Sequence, residues 1–315
     1  MKTKNQQNQI NRRNFLQKSA VFATSAVVLP FLANSAYSAS NSVKGNGSIP
    51  TVKLNNNLLM PTIGFGTYSL RDNVCKRSVA EAISVGYRLL DTASRYANET
   101  FVGLGIKESG INRKDLFITS KIWVDDSGYE KTKTAFETSL KKLDTDYLDL
   151  YLIHRPRGDF KGSWRMMEEL YKEGRIKAIG ISNFTPAQYK ELMLAAKIKP
   201  AVNQIETHAF FQEVESYNYF KQNGVQTEAW APFAEGRNGL FTNQTLADIG
   251  KKHNKSTAQV SLRWHYQRGI VAIPRTVQKA NMIENLNIFD FKLSESEMKA
   301  ISTLDLNTSQ FPEWT

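Results

Sequence analysis

The chain reads as an α/β protein, a (β/α)8 TIM barrel preceded by an N-terminal β-hairpin. Short β-branched apolar runs alternate with amphipathic stretches from Thr62 almost to the C-terminus. Asp91, Tyr96, Lys121 and His154 each stand at or just beyond the end of such a run. In a barrel of parallel strands those ends converge on one face, where side chains from different strands meet. The number of alternations also fits, since about eight strand–helix units make a barrel of roughly 250 residues.

The first segment is not part of the barrel. Asn11-Arg-Arg-Asn-Phe-Leu-Gln-Lys18 precedes the apolar run Ala20–Leu32, and Ala36-Tyr-Ser38 then gives small residues ahead of Ala39. A basic region, an apolar region too short to span a membrane and a small-x-small site make a secretory signal, and the arginine pair suggests the twin-arginine type. Residues 1–38 are therefore expected to be a twin-arginine signal that sends the folded protein to the periplasm, and residues 39–48 a flexible linker. The barrel domain is expected over residues 49–315.

Within that domain, Thr51–Met60 reads as a hairpin with Asn at its turn, placed to plug the closed end. Strands are expected at Thr62–Gly66, Leu89–Asp91, Leu116–Lys121, Leu148–His154, Ala178–Ser182, Ala201–Glu206, Val225–Ala231 and Ile270–Ile273. Apolar residues at helical spacing mark Thr132–Leu143, Trp164–Glu173, Pro186–Ala196 and Leu246–His253 as helices. Pro186 is a start signal and Gly174 a stop signal.

Composition narrows the function classes. With 41% hydrophobic residues in 315, one large core is available, and no apolar stretch is long enough for a membrane span after the leader is removed. Cys75 is the sole cysteine, which leaves no disulfide framework or structural zinc site. Lys2, Lys4, Arg12, Arg13 and Lys18 belong to the leader, and taking those five cations from the formal +11 leaves +6. The rest are scattered, which argues against nucleic acid as a partner. Two catalytic alternatives also weaken. Gly103-Leu-Gly-Ile-Lys-Glu-Ser-Gly110 has the wrong spacing for a dinucleotide fingerprint and follows a helix-like stretch. His154, His208, His253 and His265 lack the paired spacing of a metal site, so no metal is expected.

Several motifs in order carry a resemblance. The segment Gly86–Gly103, with Asp91, Tyr96, Asn98 and Glu99 in register, resembles the first motif of the aldo-keto reductase superfamily. Lys177–Phe184 is similar to its second motif, and Ile273-Pro-Arg-Thr276 with Glu284-Asn285 to its third. Together with Gly64–Thr67, Asn203–Glu206 and Ala229–Pro232, the match spans roughly residues 50–306 and is similar to bacterial 2,5-diketogluconate reductase-like members.

This resemblance implies a catalytic set of Asp91, Tyr96, Lys121 and His154. A free phenol, with a pKa near ~10, is a poor acid at neutral pH, and a neighbouring ammonium favours the phenolate. Lys121 supplies that cation if Asp91 pairs with it; Tyr96 then protonates a carbonyl oxygen as hydride arrives, and His154 orients the same oxygen. Taken singly, each residue has an ordinary reading: a buried ion pair, a rim aromatic, a satisfied strand-end histidine. The resemblance further implies NADP(H) as cofactor, with NAD(H) as the alternative. The nicotinamide carboxamide is expected on Ser182, Asn183 and Gln204, the ring on Trp230, and the nearby ribose at Thr67. The backbone of Ala234–Gly236 is expected at the pyrophosphate, and Arg275, Thr276, Glu284 and Asn285 at the adenosine end.

Departures matter as much. Arg275 stands where the family usually has Lys, and Asn281 where it usually has Arg, which lowers the positive charge for a 2′-phosphate. Arg155 follows the catalytic His where Trp is usual, so the substrate pocket, expected to include Trp123 and Arg155, suits acidic or polyhydroxylated carbonyls. The expected protein is a monomeric reductase of small carbonyl compounds; the alternative is a non-catalytic nicotinamide-binding barrel serving as a regulatory subunit.

Overall fold

The computed structural model describes residues 49–314. The expected signal at 1–38 and linker at 39–48 lie outside the described residues. Strands β1 (Thr51–Lys53) and β2 (Leu59–Pro61) pair antiparallel as the expected hairpin. Its turn puts Asn57 in the left-handed region at φ 71°, where Asn is tolerated better than most residues.

Eight further strands follow: β3 (Phe65–Gly66), β4 (Leu89–Asp91), β5 (Phe117–Ile122), β6 (Leu150–Ile153), β7 (Ile179–Ser182), β8 (Val202–Glu206), β9 (Gln226–Trp230) and β10 (Val271–Ala272). They form one parallel sheet in chain order from β3 to β10. A parallel bridge between Ile63 and Ala272, with Gly64 N donating to Ala272 O at 2.9 Å, joins its two edges. The (β/α)8 barrel is thereby closed.

Two packed layers explain why these strands are buried on both faces and show no regular apolar–polar alternation. Leu89, Phe117, Leu150, Leu152, Val202 and Val271 fill the interior together with Leu54 and Met60 of the hairpin region. Asn55 Nδ2 and Asn56 Nδ2 donate to the carbonyls of Pro200 and Lys177, both at 2.8 Å, and fix the hairpin over the amino ends of the strands. The other strand faces pack against the surrounding helices through Phe136, Tyr151, Trp164, Ile181 and Trp264.

Some boundaries differ from expectation. Lys121 lies inside β5 rather than at its end, because pairing continues to Ile122 opposite Ile153. The run from Leu148 begins with an isolated bridge to Ile176, and the regular strand starts at Leu150. The helix from Pro186 stops at Met193, after which Leu194 is exposed; Thr185 and Gln188 form its capping box. Gly103 and Gly105 lie within the helix Glu99–Ser109. A Cβ on them would approach the carbonyl oxygens of Leu143 and Lys76 to 2.7 and 2.5 Å, so these glycines serve close helix packing.

Candidate active site

The carboxyl ends of the strands open onto a pocket of about 630 Å³. Its floor is an ion pair. All three ammonium hydrogens of Lys121 are directed: to Asp91 Oδ1 at 2.6 Å, to the carbonyl of Thr92 at 2.9 Å and to the phenol oxygen of Tyr96 at 3.2 Å. Asp91 and Lys121 are buried, whereas Asp91, Tyr96 and His154 all border the pocket.

Tyr96 is placed by its loop. It ends a single turn, Ser94–Tyr96, closed by Ala97 at φ 56°. Asn98 behind it donates to the carbonyls of Thr67 and Leu70 at 2.8 and 3.1 Å and accepts from Thr92 Oγ1 at 2.9 Å. This one buried amide ties together the loops after β3 and β4. His154 packs edge-on against Tyr96 and Trp123, with ring centroids 5.7 and 5.1 Å away. Its Nδ1 is sealed in without a partner, so Nε2 is the nitrogen presented to the pocket.

The electrostatics correct one expectation. Burial raises the Tyr96 pKa, Lys121 pulls it down and Asp91 pushes it back up, leaving it above the ordinary tyrosine range. The ammonium does not bring the resting phenol towards neutrality; Tyr96 holds its proton. Burial works against the charge on Lys121, but Asp91 and Tyr96 outweigh it and raise its pKa. Burial, with Lys121, Arg155 and Arg95 nearby, holds the imidazole of His154 well below its usual pKa, so the ring is neutral.

Beside this group lies a connected polar cradle. Asn183, at φ 62°, donates from Nδ2 to His154 O at 3.0 Å and to Ser182 Oγ at 2.9 Å. Its Oδ1 accepts from Trp230 Nε1 at 2.8 Å, and Ser182 Oγ donates to Gln204 O at 2.9 Å. Gln204 Nε2 donates to Asp91 Oδ2 and Glu228 Oε2, both at 2.8 Å. Ser182, Asn183, Gln204, Trp230 and Arg275 all line the pocket, as do Trp123 and Arg155.

Other expected nucleotide residues are turned elsewhere. Thr67 is fully buried and spends its hydroxyl on Asp91 O at 2.9 Å, so it does not reach the pocket. The amides of Ala234 and Gly236 donate to the carbonyls of Ala231 and Phe233 at 2.7 and 2.8 Å. They are not free for a pyrophosphate. Thr276 Oγ1 accepts from Gln278 N at 3.1 Å, Glu284 is bonded to Ser256 Oγ, and Asn285 is buried against the phenol of Tyr87. These three side chains lie outside the pocket lining.

Four features are not legible in the sequence. Arg71 and Arg95 join Arg155 and Arg275 at the pocket, opposed there by Glu235. Arg95 immediately precedes Tyr96 in its turn, which was the available signal. Tyr68 packs edge-on against both Tyr96 and Trp314 at 5.1 Å, bridging the acid and the C-terminal tail. Glu206, at the end of β8, holds that tail by accepting from Ser309 Oγ at 2.6 Å and Gln310 N at 2.8 Å. Glu228 is a buried acid inside β9, where Gln226 and Thr227 precede it. Among the described residues, no group of three or more His, Cys, Asp or Glu side chains is arranged to hold a metal ion.

A closed parallel barrel with a buried Lys–Asp pair against a pocket-facing phenol, and a neutral histidine beside it, defines the class of carbonyl oxidoreductases built on this fold. Comparison with known proteins agrees. The sequence profile of the Aldo/keto reductase family matches residues 62–306. The chain is 50% identical over 257 residues to the glyoxal reductase of Bacillus subtilis strain 168, covering 81% of this chain and 92% of that protein. It is 38% identical over 260 residues to the methylglyoxal reductase DkgA of Escherichia coli K12, covering 81% and 94%. A crystal structure of a Bombyx mori aldo-keto reductase in complex with NADP superposes with a TM-score of 0.80 at 30% identity, over 84% of this chain and 95% of that one. The chain belongs to the aldo/keto reductase family and is an NAD(P)H-dependent oxidoreductase.

Proposed function

We propose that the pocket reduces the carbonyl group of small aldehydes or ketones with NADP(H), NAD(H) being the alternative nucleotide, and favours acidic or sugar-derived substrates. The observation that carries this reading is the 3.2 Å contact between the Lys121 ammonium and the Tyr96 phenol, with Asp91 balancing the charge. The named activities of the Bacillus subtilis and Escherichia coli relatives support a small carbonyl substrate.

The residues fit a nicotinamide. Gln204 has committed its amide nitrogen to the carboxyl groups of Asp91 and Glu228, while its Oε1 has no protein partner and the residue borders the pocket, as suits an acceptor for a carboxamide. Ser182 and Asn183 adjoin it, Trp230 offers an aromatic face, and Arg275 at the mouth is an exposed cation suited to a phosphate. The Bombyx mori relative with NADP bound supports the same nucleotide here.

A bound nicotinamide nucleotide supplies the hydride. The chain supplies the proton. Tyr96 stays protonated until negative charge develops on the carbonyl oxygen, then gives up its proton. The phenolate so formed faces an ammonium already in place, so the contact strengthens in the transition state more than in the ground state. His154, neutral, donates a hydrogen bond to the same oxygen without competing to protonate it. Arg155 and Arg95 at the mouth are placed to attract a carboxylate on the substrate. The enzyme acts as a monomer and, with the leader at 1–38, is exported folded to the periplasm.

The test is Tyr96→Phe. Turnover is expected to fall about 10²-fold or more while nucleotide affinity is retained, the usual scale for losing a general acid. Unchanged turnover would remove Tyr96 from the mechanism.

A further inference from the structure

Glu228 has no role in the scheme above, yet it is fully buried at the centre of the barrel. It stands on β9 directly opposite Gln204 of β8. Gln204 Nε2 donates one hydrogen bond to Glu228 and another to Asp91, both at 2.8 Å. An amide nitrogen has two hydrogens, and both are thus consumed below the pocket. Flipping the amide would turn its oxygen against the Asp91 carboxylate, which has no hydrogen to donate, and would lose that bond. Hydrogen bonds therefore run from Glu228 through Gln204 and Asp91 to Lys121 and Tyr96.

We propose that Glu228 is a positioning residue for the nicotinamide, locking the Gln204 amide so that only its carbonyl oxygen faces the cofactor carboxamide. The inference rests on the nucleotide reading given above. Asp91 alone would leave one amide hydrogen unplaced and the side chain free to rotate; Glu228 supplies the second acceptor. It does so at small electrostatic cost because it is protonated. Burial and the charge of Asp91 raise its pKa to about 8, against the opposing influence of Gln204 and Lys121. Its Oε2 accepts from Gln204, and the other oxygen, Oε1, has no partner and is free to carry the proton. The groups that act on its charge are Asp91 on β4, Lys121 on β5 and the amide of Gln204; on its other side β10 presents Val271.

The experiment uses full-length protein and the variants Glu228→Met and Glu228→Gln. NADPH is titrated by fluorescence beside 2′-phospho-ADP-ribose, which has the same phosphates but no nicotinamide. Glu228→Met should weaken NADPH about tenfold, the scale of one misplaced hydrogen bond, and leave the nicotinamide-free nucleotide unchanged. Glu228→Gln keeps an acceptor and should stay within about threefold of the parent for both. The nucleotide-free proteins give a second readout. A carboxyl whose folded pKa lies above its unfolded value contributes stability at low pH that is lost as pH rises through about 8. That loss should be present in the parent and absent in Glu228→Gln. Equal weakening of both nucleotides in Glu228→Met, unchanged NADPH affinity in that variant, or a loss of NADPH affinity in Glu228→Gln as large as in Glu228→Met would each overturn the proposal. Parent protein that fails to bind NADPH refutes the nucleotide reading itself, whereas parent protein that binds while Glu228→Met binds equally refutes only the role of Glu228.

Discussion

Replacing Lys121 by Met separates what the ion pair does for the fold from what it does for chemistry. The methionine fills most of the lysine stem, so little packing is lost. What disappears is the charge and three hydrogen bonds, to Asp91, Thr92 and Tyr96. Asp91 is then left buried with the Gln204 amide as its remaining side-chain donor. Removing one partner of a buried pair typically costs about 3–5 kcal/mol, a large part of the roughly 5–15 kcal/mol that holds a domain folded. Protonation of Asp91 gives some relief, since burial already pushes its pKa upward against Lys121 and Gln204. The double variant Asp91→Asn/Lys121→Met has no uncompensated charge, and Gln204 can still donate to the new amide oxygen. It should recover all but about 1 kcal/mol of the loss. Turnover should not recover, because neither protein has a cation to receive the Tyr96 phenolate; both should lie about 10²-fold or more below the parent. Urea unfolding gives the stabilities, and kcat/KM for a small aldehyde gives the chemistry. A Lys121→Met protein as stable as the parent, or a double variant no more stable than the single, would show that the pair is not the buried, charge-balanced unit described here.

Three other outcomes follow from the site. Because the folded His154 imidazole is held well below its usual pKa, the unfolded chain binds a proton there that the folded chain refuses; stability is complete above pH ~6.5 and is lost as pH falls towards the folded value. His154→Asn should flatten that slope in urea unfolding between about pH 7.5 and about pH 5.5, and an unchanged slope would place the proton uptake elsewhere. Arg155→Gln should lower kcat/KM for a carboxylated aldehyde by about tenfold relative to a neutral one of similar size, as loss of a charge-assisted contact does; an unaltered ratio means that Arg155 turns to solvent. On the proposal that residues 1–38 export the folded chain, protein recovered from the periplasm should carry close to one equivalent of nicotinamide nucleotide by absorbance, since a cofactor made in the cytoplasm must then travel bound; empty protein with weak affinity for added nucleotide refutes preloading.

How much of the site the sequence disclosed depended on where each residue falls in its element. Asp91 ends a strand and His154 follows one directly, so a break in an apolar run points to them, whereas Trp230 is marked by the resemblance of Ala229–Pro232 to the family. Glu228 gave a weaker signal. Barrel strands are buried on both faces, period-two alternation is lost, and nothing in the local pattern separates a residue facing the barrel interior from one facing the helices. Glu228 follows two other polar residues, Gln226 and Thr227, and its partner lies on another strand, 24 residues away. Thr67, Thr276 and Asn285 carry the opposite ambiguity. Their side chains can bond a nucleotide or nearby protein groups equally well, and the choice is made by backbone and side-chain neighbours that sequence spacing does not specify.

Arg155 shows how one substitution changes several groups at once. Where the family pattern has an apolar indole, this chain places a guanidinium in a wall that already contains Arg71 and Arg95, with Trp123 beneath Arg95 at 5.4 Å from the ring centroid. Burial, together with Arg157, depresses the pKa of Arg155, and Arg155 in turn helps to keep His154 neutral. On the proposed reading the cation acts twice: it draws in an anionic substrate group, and, after burial and Lys121, it adds to the disfavouring of an imidazolium that would compete with Tyr96 to protonate the carbonyl. Replacing it with the family's tryptophan would reverse the first effect and relax the second. A gain in neutral substrates should then come with a His154 that titrates closer to neutrality, a pairing that a change in pocket shape alone does not produce.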